Sequence, residues 1–186
     1  MAAPGRLVEL SGRGASAKIS AAVSLVRSVQ SAGDTAVWIQ PRGGGLFPPD
    51  LAASGVDLEA LLVLHIPGER GAHDLLRAAE LLLLAGAHGL VIVDLTGLRA
   101  PRGGAWQARL AALARRHGSA LVLLTDSPDR HSSLGPMISL RVAPRRTRSP
   151  AGHLAITSHV LKNKSGGPAD LRPQLYRSPA GARAGR

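Results

Sequence analysis

Apolar and polar positions alternate through "RLVELS" and stop at a glycine-rich turn, which predicts a strand over Leu7 to Ser11. Ile19, Ala22, Val23, Val26 and Val29 then recur at helical spacing, predicting a helix from about Ala17 to Ser31 that Gly33 ends. "TAVWIQ" (35–40) reads as a second, buried strand. "PRGGGLFPPD" reads as a loop, because its three glycines and three prolines cannot hold a regular element. A short helix around Leu51 to Ser54 and the strand "LLVLHI" follow. A longer helix, about Glu69 to Leu84, gathers Leu75, Leu76, Ala79, Leu82 and Leu83 on one face. "GLVIVDL" is an apolar strand reaching Asp94, a helix over Gly104 to His117 buries Trp106, Leu110 and Leu113, and "SALVLLT" is another central strand. Then the pattern changes: "MISLRVAP", "HLAITSHVLK" and "PQLYRS" read as three strands without helices between them. The expected fold is α/β, a mostly parallel β-sheet flanked by helices with a C-terminal antiparallel strand extension. One domain is expected over 1–177, with a basic, disordered tail over 178–186.

Composition narrows the classes. A length of 186 residues and 45% hydrophobic content suit one well-cored domain. No apolar run approaches the ~18 residues that span a bilayer. The N-terminus reads as no secretion signal, so the expectation is a cytoplasmic protein without membrane contact. The absence of cysteine excludes disulfides and thiolate metal sites. A formal charge of +11 favours polyanionic partners. Part of that charge is concentrated in Arg145, Arg146 and Arg148, expected together in an exposed turn between two strands, and part near the end in Arg172, Arg177, Arg183 and Arg186. Aromatic residues are only 2% of the chain, too few for base-stacking platforms, which leaves weak non-specific DNA contact through the basic segments. The seven histidines lack ligand spacing, so no metal site is expected. "TDSPDRHSS" holds Ser, His and Asp, but catalytic triads assemble across a fold rather than within nine residues.

The candidate chemistry lies in "GRGASAKIS". A phosphate-binding loop reads G-x-x-x-x-G-K-[ST]: its backbone N–H groups cradle phosphate, its lysine reaches the terminal phosphates and its hydroxyl holds magnesium. Gly12 and Lys18 stand at the required spacing, in the required strand–loop–helix context. Ala17 replaces the second glycine, and Ile19 replaces the hydroxyl residue; Ser20 comes one position late. Asp94, at the end of its strand, suits a water-mediated magnesium ligand or, equally, a cap on the following turn.

In this order the motifs resemble the RecA recombinase core, over about Leu7 to Tyr176. "GRGASAKIS" is similar to its phosphate loop, "LVIVDL" to its magnesium-aspartate strand, "VLKNK" (160–164) to a late strand ending Val-Lys-Asn-Lys, and "GVDLEALLVLHIPGE" (55–69) to the segment between its second and third strands. The resemblance implies that Lys162 and Lys164, sharing a strand face, point towards a neighbouring protomer's nucleotide or an acidic partner surface. The departures are as informative. The family's water-activating glutamate falls near Arg42, and no Asp or Glu occurs between Gln40 and Pro49. The loops corresponding to its two DNA-binding loops, "TGLRAPRGG" and "SPDRHSSLG", are short, and with the core strand starting at Leu7 the expectation is a core without the family's polymerisation arm.

Among RecA-like proteins this pattern resembles the ImuA family of SOS mutagenesis accessory proteins, and more distantly the SulA cell-division inhibitors. What the resemblance implies is a non-catalytic adaptor in translesion synthesis, with ATP and magnesium binding absent or very weak. Its implied partners are RecA and an ImuB-like Y-family polymerase homologue, contacted through Lys162, Lys164, Arg145, Arg146 and Arg148. The alternatives are an ATP-dependent DNA-binding or recombination protein with a variant phosphate loop, and a SulA-like inhibitor.

Overall fold

The computed structural model describes residues 4–14, 16–67, 71–148, 154–166 and 170–176. Its elements run β1 (Leu7–Ser11), α1 (Lys18–Ser31), β2 (Ala36–Pro41), α2 (Pro48–Ala53), β3 (Leu61–Ile66), α3 (Ala72–Ala85), β4 (Leu90–Asp94), α4 (Ala105–Arg116), β5 (Ala120–Thr125), β6 (Leu140–Arg148), β7 (Leu154–Asn163) and β8 (Asp170–Tyr176). The expected 178–186 tail lies outside the described residues.

The strands form one eight-stranded sheet in the order β3-β2-β4-β5-β1-β6-β7-β8. Every pairing from β3 to β6 is parallel; those of β6 with β7 and β7 with β8 are antiparallel. The α/β architecture and its antiparallel extension match the sequence pattern. Of the three strands without helices, β6 continues the parallel sheet beside β1, so the extension begins at β7.

Alternation along the central strands feeds two apolar layers. Val8, Leu10, Trp38, Ile92 and Val122 face one side, where they pack with Ala22, Val23 and Val26 of α1. Leu7, Val37, Ile39, Val91, Val93, Leu121 and Leu123 face the other, under Leu75, Ala79 and Leu83 of α3 and Leu110 and Ala114 of α4. This two-sided burial is why the central strands read as unbroken apolar runs.

β5 and β6 lie on opposite sides of β1 and run parallel, so residues 126–139 must return the chain across β1. Such crossovers are usually helical, and a helix satisfies its own backbone groups. Here the crossover is irregular, and side chains supply the partners instead. Glu9, wholly buried in β1, accepts the Leu134 N–H at 3.0 Å and the Thr125 hydroxyl at 2.9 Å. Arg141, 2% exposed in β6, lies 3.6 Å from Glu9 and donates to the Ser11 hydroxyl at 3.0 Å. Its guanidinium also donates to the carbonyls of Ser127, Pro128 and His131. Gln107 of α4 donates to the Leu134 carbonyl, and Ser139 anchors the far end of the crossover on the Leu7 carbonyl.

Removing one member of a buried ion pair strands the other in a low-dielectric interior. Arg141→Met should therefore lower the unfolding free energy by about 3–5 kcal/mol. The double variant Glu9→Leu/Arg141→Met should cost less than the sum of the singles, as measured by denaturant unfolding.

Candidate functional site

The glycine-rich loop follows β1 at the carboxyl end of the parallel strands, the end where open α/β sheets place ligands. Gly12 suits its position because an added Cβ would meet the Ser16 Cβ at 2.7 Å. Two backbone amides here are engaged: the Gly12 N–H donates to the Thr125 carbonyl at 3.1 Å, and the Ala17 N–H to the Pro144 carbonyl at 3.1 Å. Ala17 is fully buried at the start of α1, so its amide is committed to β6. Ile19 turns into the α1 side of the core and packs among its apolar residues.

Lys18 is the first residue of α1 and only 5% exposed. A buried ammonium requires partners for its donors. It donates to the Gly12 carbonyl at 3.0 Å, the Thr125 carbonyl at 3.2 Å and the Asp126 carboxylate at 2.5 Å. The other Asp126 oxygen accepts the Gly97 N–H at 2.7 Å, from the turn after β4. Arg13 adds a bond from its side chain to the Asp126 carbonyl at 3.2 Å. Burial alone would raise the Asp126 pKa. The Lys18 and Gly97 hydrogen bonds, with the charges of Lys18 and Arg13, outweigh it and hold the carboxyl below its usual value near 3.8.

Asp94 ends β4 as expected and is 7% exposed. Its carboxylate accepts the Thr96 N–H at 2.9 Å and so caps the turn that presents Gly97 to Asp126. Among the described residues no group of three or more potential ligands is placed to hold a metal ion.

Lys162 and Lys164 stay together, but on the chain's own crossover. Lys162 donates to the Ser133 hydroxyl at 2.9 Å and the Gly135 carbonyl at 3.0 Å, and Lys164 donates to the Pro136 carbonyl. Burial, then repulsion from Lys164, lowers the Lys162 pKa, against an opposing pull from Glu9.

The arginine cluster departs from expectation. Arg145, Arg146 and Arg148 lie in β6, opposite Thr157, Ile156 and Leu154 of β7, rather than in a turn. The two antiparallel strands run on past the end of the β1 pairing and satisfy each other's backbone there, which makes this segment strand as far as Arg148. Arg145 forms an ion pair with Asp129 of the crossover.

Two clefts flank Arg13. One, about 490 Å³, lies between the loops after β4 and β5 and is lined by Arg13, Arg99, Arg102, Asp126 and His131. The other, about 450 Å³, is lined by Gly12, Arg13, Ser16, Asp129, Arg145 and Arg146.

The residues that organise this end were not singled out in the sequence. Asp126 lies in the polar stretch "TDSPDRHSS", whose composition points to a triad rather than to a lysine partner. Glu9 and Arg141 each interrupt an apolar strand, which is a signal, but pairing them requires knowing that β6 lies beside β1.

No protein-family model matches the chain. The RecA protein of Levilactobacillus brevis is 31% identical over 140 residues, covering 73% of this chain and 36% of that protein. RecA of Saccharopolyspora erythraea is 32% identical over 128 residues, 66% of this chain and 36% of the relative. The chain is similar to RecA. That of Limosilactobacillus reuteri is 37% identical over 99 residues, 53% of this chain and 26% of the relative. The chain thus spans between about a quarter and little more than a third of the length of these RecA proteins. These distant, partial matches support a RecA-like recombinase family, and the parallel sheet with its phosphate-loop-like turn after β1 fits them. Among the described residues no helix is long and apolar enough to cross a membrane.

The Asp126 pairing has a pH signature. A carboxyl held low in the folded state stabilises it above its unfolded pKa, and that stability is lost as pH falls through the folded value. Melting temperatures of the wild type should drop on acidification below about 3.8 more than those of Asp126→Asn, whose side chain does not titrate.

Proposed function

We propose that this chain is a non-catalytic RecA-like adaptor acting in SOS-induced translesion synthesis, as the ImuA resemblance implies. The observation that supports this most is the state of Lys18. Its ammonium is spent on two backbone carbonyls and an internal carboxylate. Phosphoryl transfer needs a metal to take up charge and a group to orient the attacking water. Ile19 brings no hydroxyl, Asp94 is engaged with Thr96, and the loop after β2 carries no acid from Pro41 to Pro49. The proposed partners are a RecA protomer and an ImuB-like polymerase homologue. With Lys162 and Lys164 turned onto the crossover, Arg146 and the exposed rim of Arg145 are the better candidates for partner contact.

A second reading rests on the cleft lined by Arg13, Arg99 and Arg102, which suits phosphate-backbone contact with single-stranded DNA. Such binding should ignore sequence and weaken steeply with salt.

Affinity capture with the full chain as bait should retain RecA, and Arg145→Glu/Arg146→Glu should weaken that retention at least tenfold; no contact with RecA would refute the adaptor reading. ATP turnover by the wild type should equal that of Lys18→Ala within error. Turnover above that control would refute the non-catalytic assignment.

A further inference from the structure

The position of Asp126 carries a step beyond this reading. Its carboxylate bridges a buried lysine ammonium and a backbone N–H, with one oxygen 2.5 Å from the Lys18 Nζ and the other 2.7 Å from the Gly97 nitrogen. A bound oxyanion at a loop of this kind is held by the same two types of donor, an ammonium and backbone amides. The two donors come from different elements, the start of α1 and the turn after β4, and Asp126 arrives from a third, the end of β5. The carboxylate is therefore placed as a ligand would be, between loops that otherwise do not share a bond through it. Its side chain is 38% exposed while that of Lys18 is 6% exposed, so the anion is on the solvent side and the cation behind it. The cleft lined by Arg13, Arg99 and Arg102 opens directly onto Asp126. Arg13 borders both clefts, so cationic side chains flank Asp126.

We propose that Asp126 is a built-in counter-ion that fills the anion position at Lys18, and that its negative charge is what excludes a free phosphate-type anion from Lys18. This rests on the reading of the loop as catalytically silent and names the residue responsible. Electrostatics requires only one charge to be balanced: with Asp126 ionised, a second anion at Lys18 meets a like charge at contact distance. With the charge removed, the Lys18 ammonium and the Gly97 N–H lose their anionic partner, and Arg13 adds uncompensated positive charge beside them. Asp126→Asn keeps the size of the side chain and an acceptor for Lys18, which favours a folded variant.

Inorganic pyrophosphate without magnesium is the probe, titrated calorimetrically at low salt into the full chain. Asp126→Asn should bind it at least tenfold more tightly than the wild type, and Asp126→Asn/Lys18→Met should lose that gain. Equal affinity of the folded Asp126→Asn variant and the wild type would overturn the proposal, as would a gain that survives loss of Lys18. A measurement on the wild type alone guards against an unstable variant. The Lys18 ammonium protons should give a slowly exchanging NMR signal that pyrophosphate leaves unmoved; rapid exchange, or a shift on adding pyrophosphate, would overturn the proposal. ATP turnover by the wild type refutes the non-catalytic reading, whereas silence of both proteins towards ATP and pyrophosphate refutes only the role of Asp126.

Discussion

An irregular crossover laid over a central strand has to find hydrogen-bond partners for its own backbone, and this requirement shapes the functional end of the molecule. Residues 126–139 cross β1 where parallel sheets ordinarily use a helix. Buried backbone groups left unpaired cost as much as lost hydrogen bonds. Glu9 and Arg141 meet that requirement from inside the sheet, Gln107 from α4, and Lys162 and Lys164 from the antiparallel extension. Charged side chains in the middle of apolar strands are thereby accounted for: they answer the crossover's polar atoms as well as each other.

Fixing the crossover also fixes its first residue. With Ser127 and Pro128 held by Arg141, Asp126 is presented to Lys18 on one side and Gly97 on the other. Asp94 contributes by capping the turn that carries Gly97. The glycine-rich loop is thus tied to β5, β6 and the β4 turn through Gly12, Ala17 and Lys18. Lys162 and Lys164, near the end of β7, brace the same crossover, so one set of cations converges on one segment from opposite flanks.

Most of the fold was legible because it rests on local pattern. Helical spacing in α1, α3 and α4 and apolar runs in β2, β4 and β5 place those elements to within a few residues. β6 was harder: its arginine-rich second half reads as a turn, and only pairing with β7 makes it a strand. Of the candidate site, the loop, Lys18 and Asp94 were found from spacing, and so was the loss of the hydroxyl at Ile19. Asp126, Gly97, Glu9 and Arg141 were not, because their roles exist only between elements distant along the chain. A lone acid in a polar loop, or a lone charge in a strand, carries no mark of its partner.

The central claim is that the glycine-rich loop is internally satisfied in the wild-type protein. Backbone amide NMR during a titration with MgATP tests it most directly, through the resonances of Gly12, Lys18, Gly97 and Leu134. The expected result is that these four amides do not shift as nucleotide is added. A saturable shift of Gly12, Lys18 and Gly97 together would show that the loop accepts phosphate after all, and would contradict the claim.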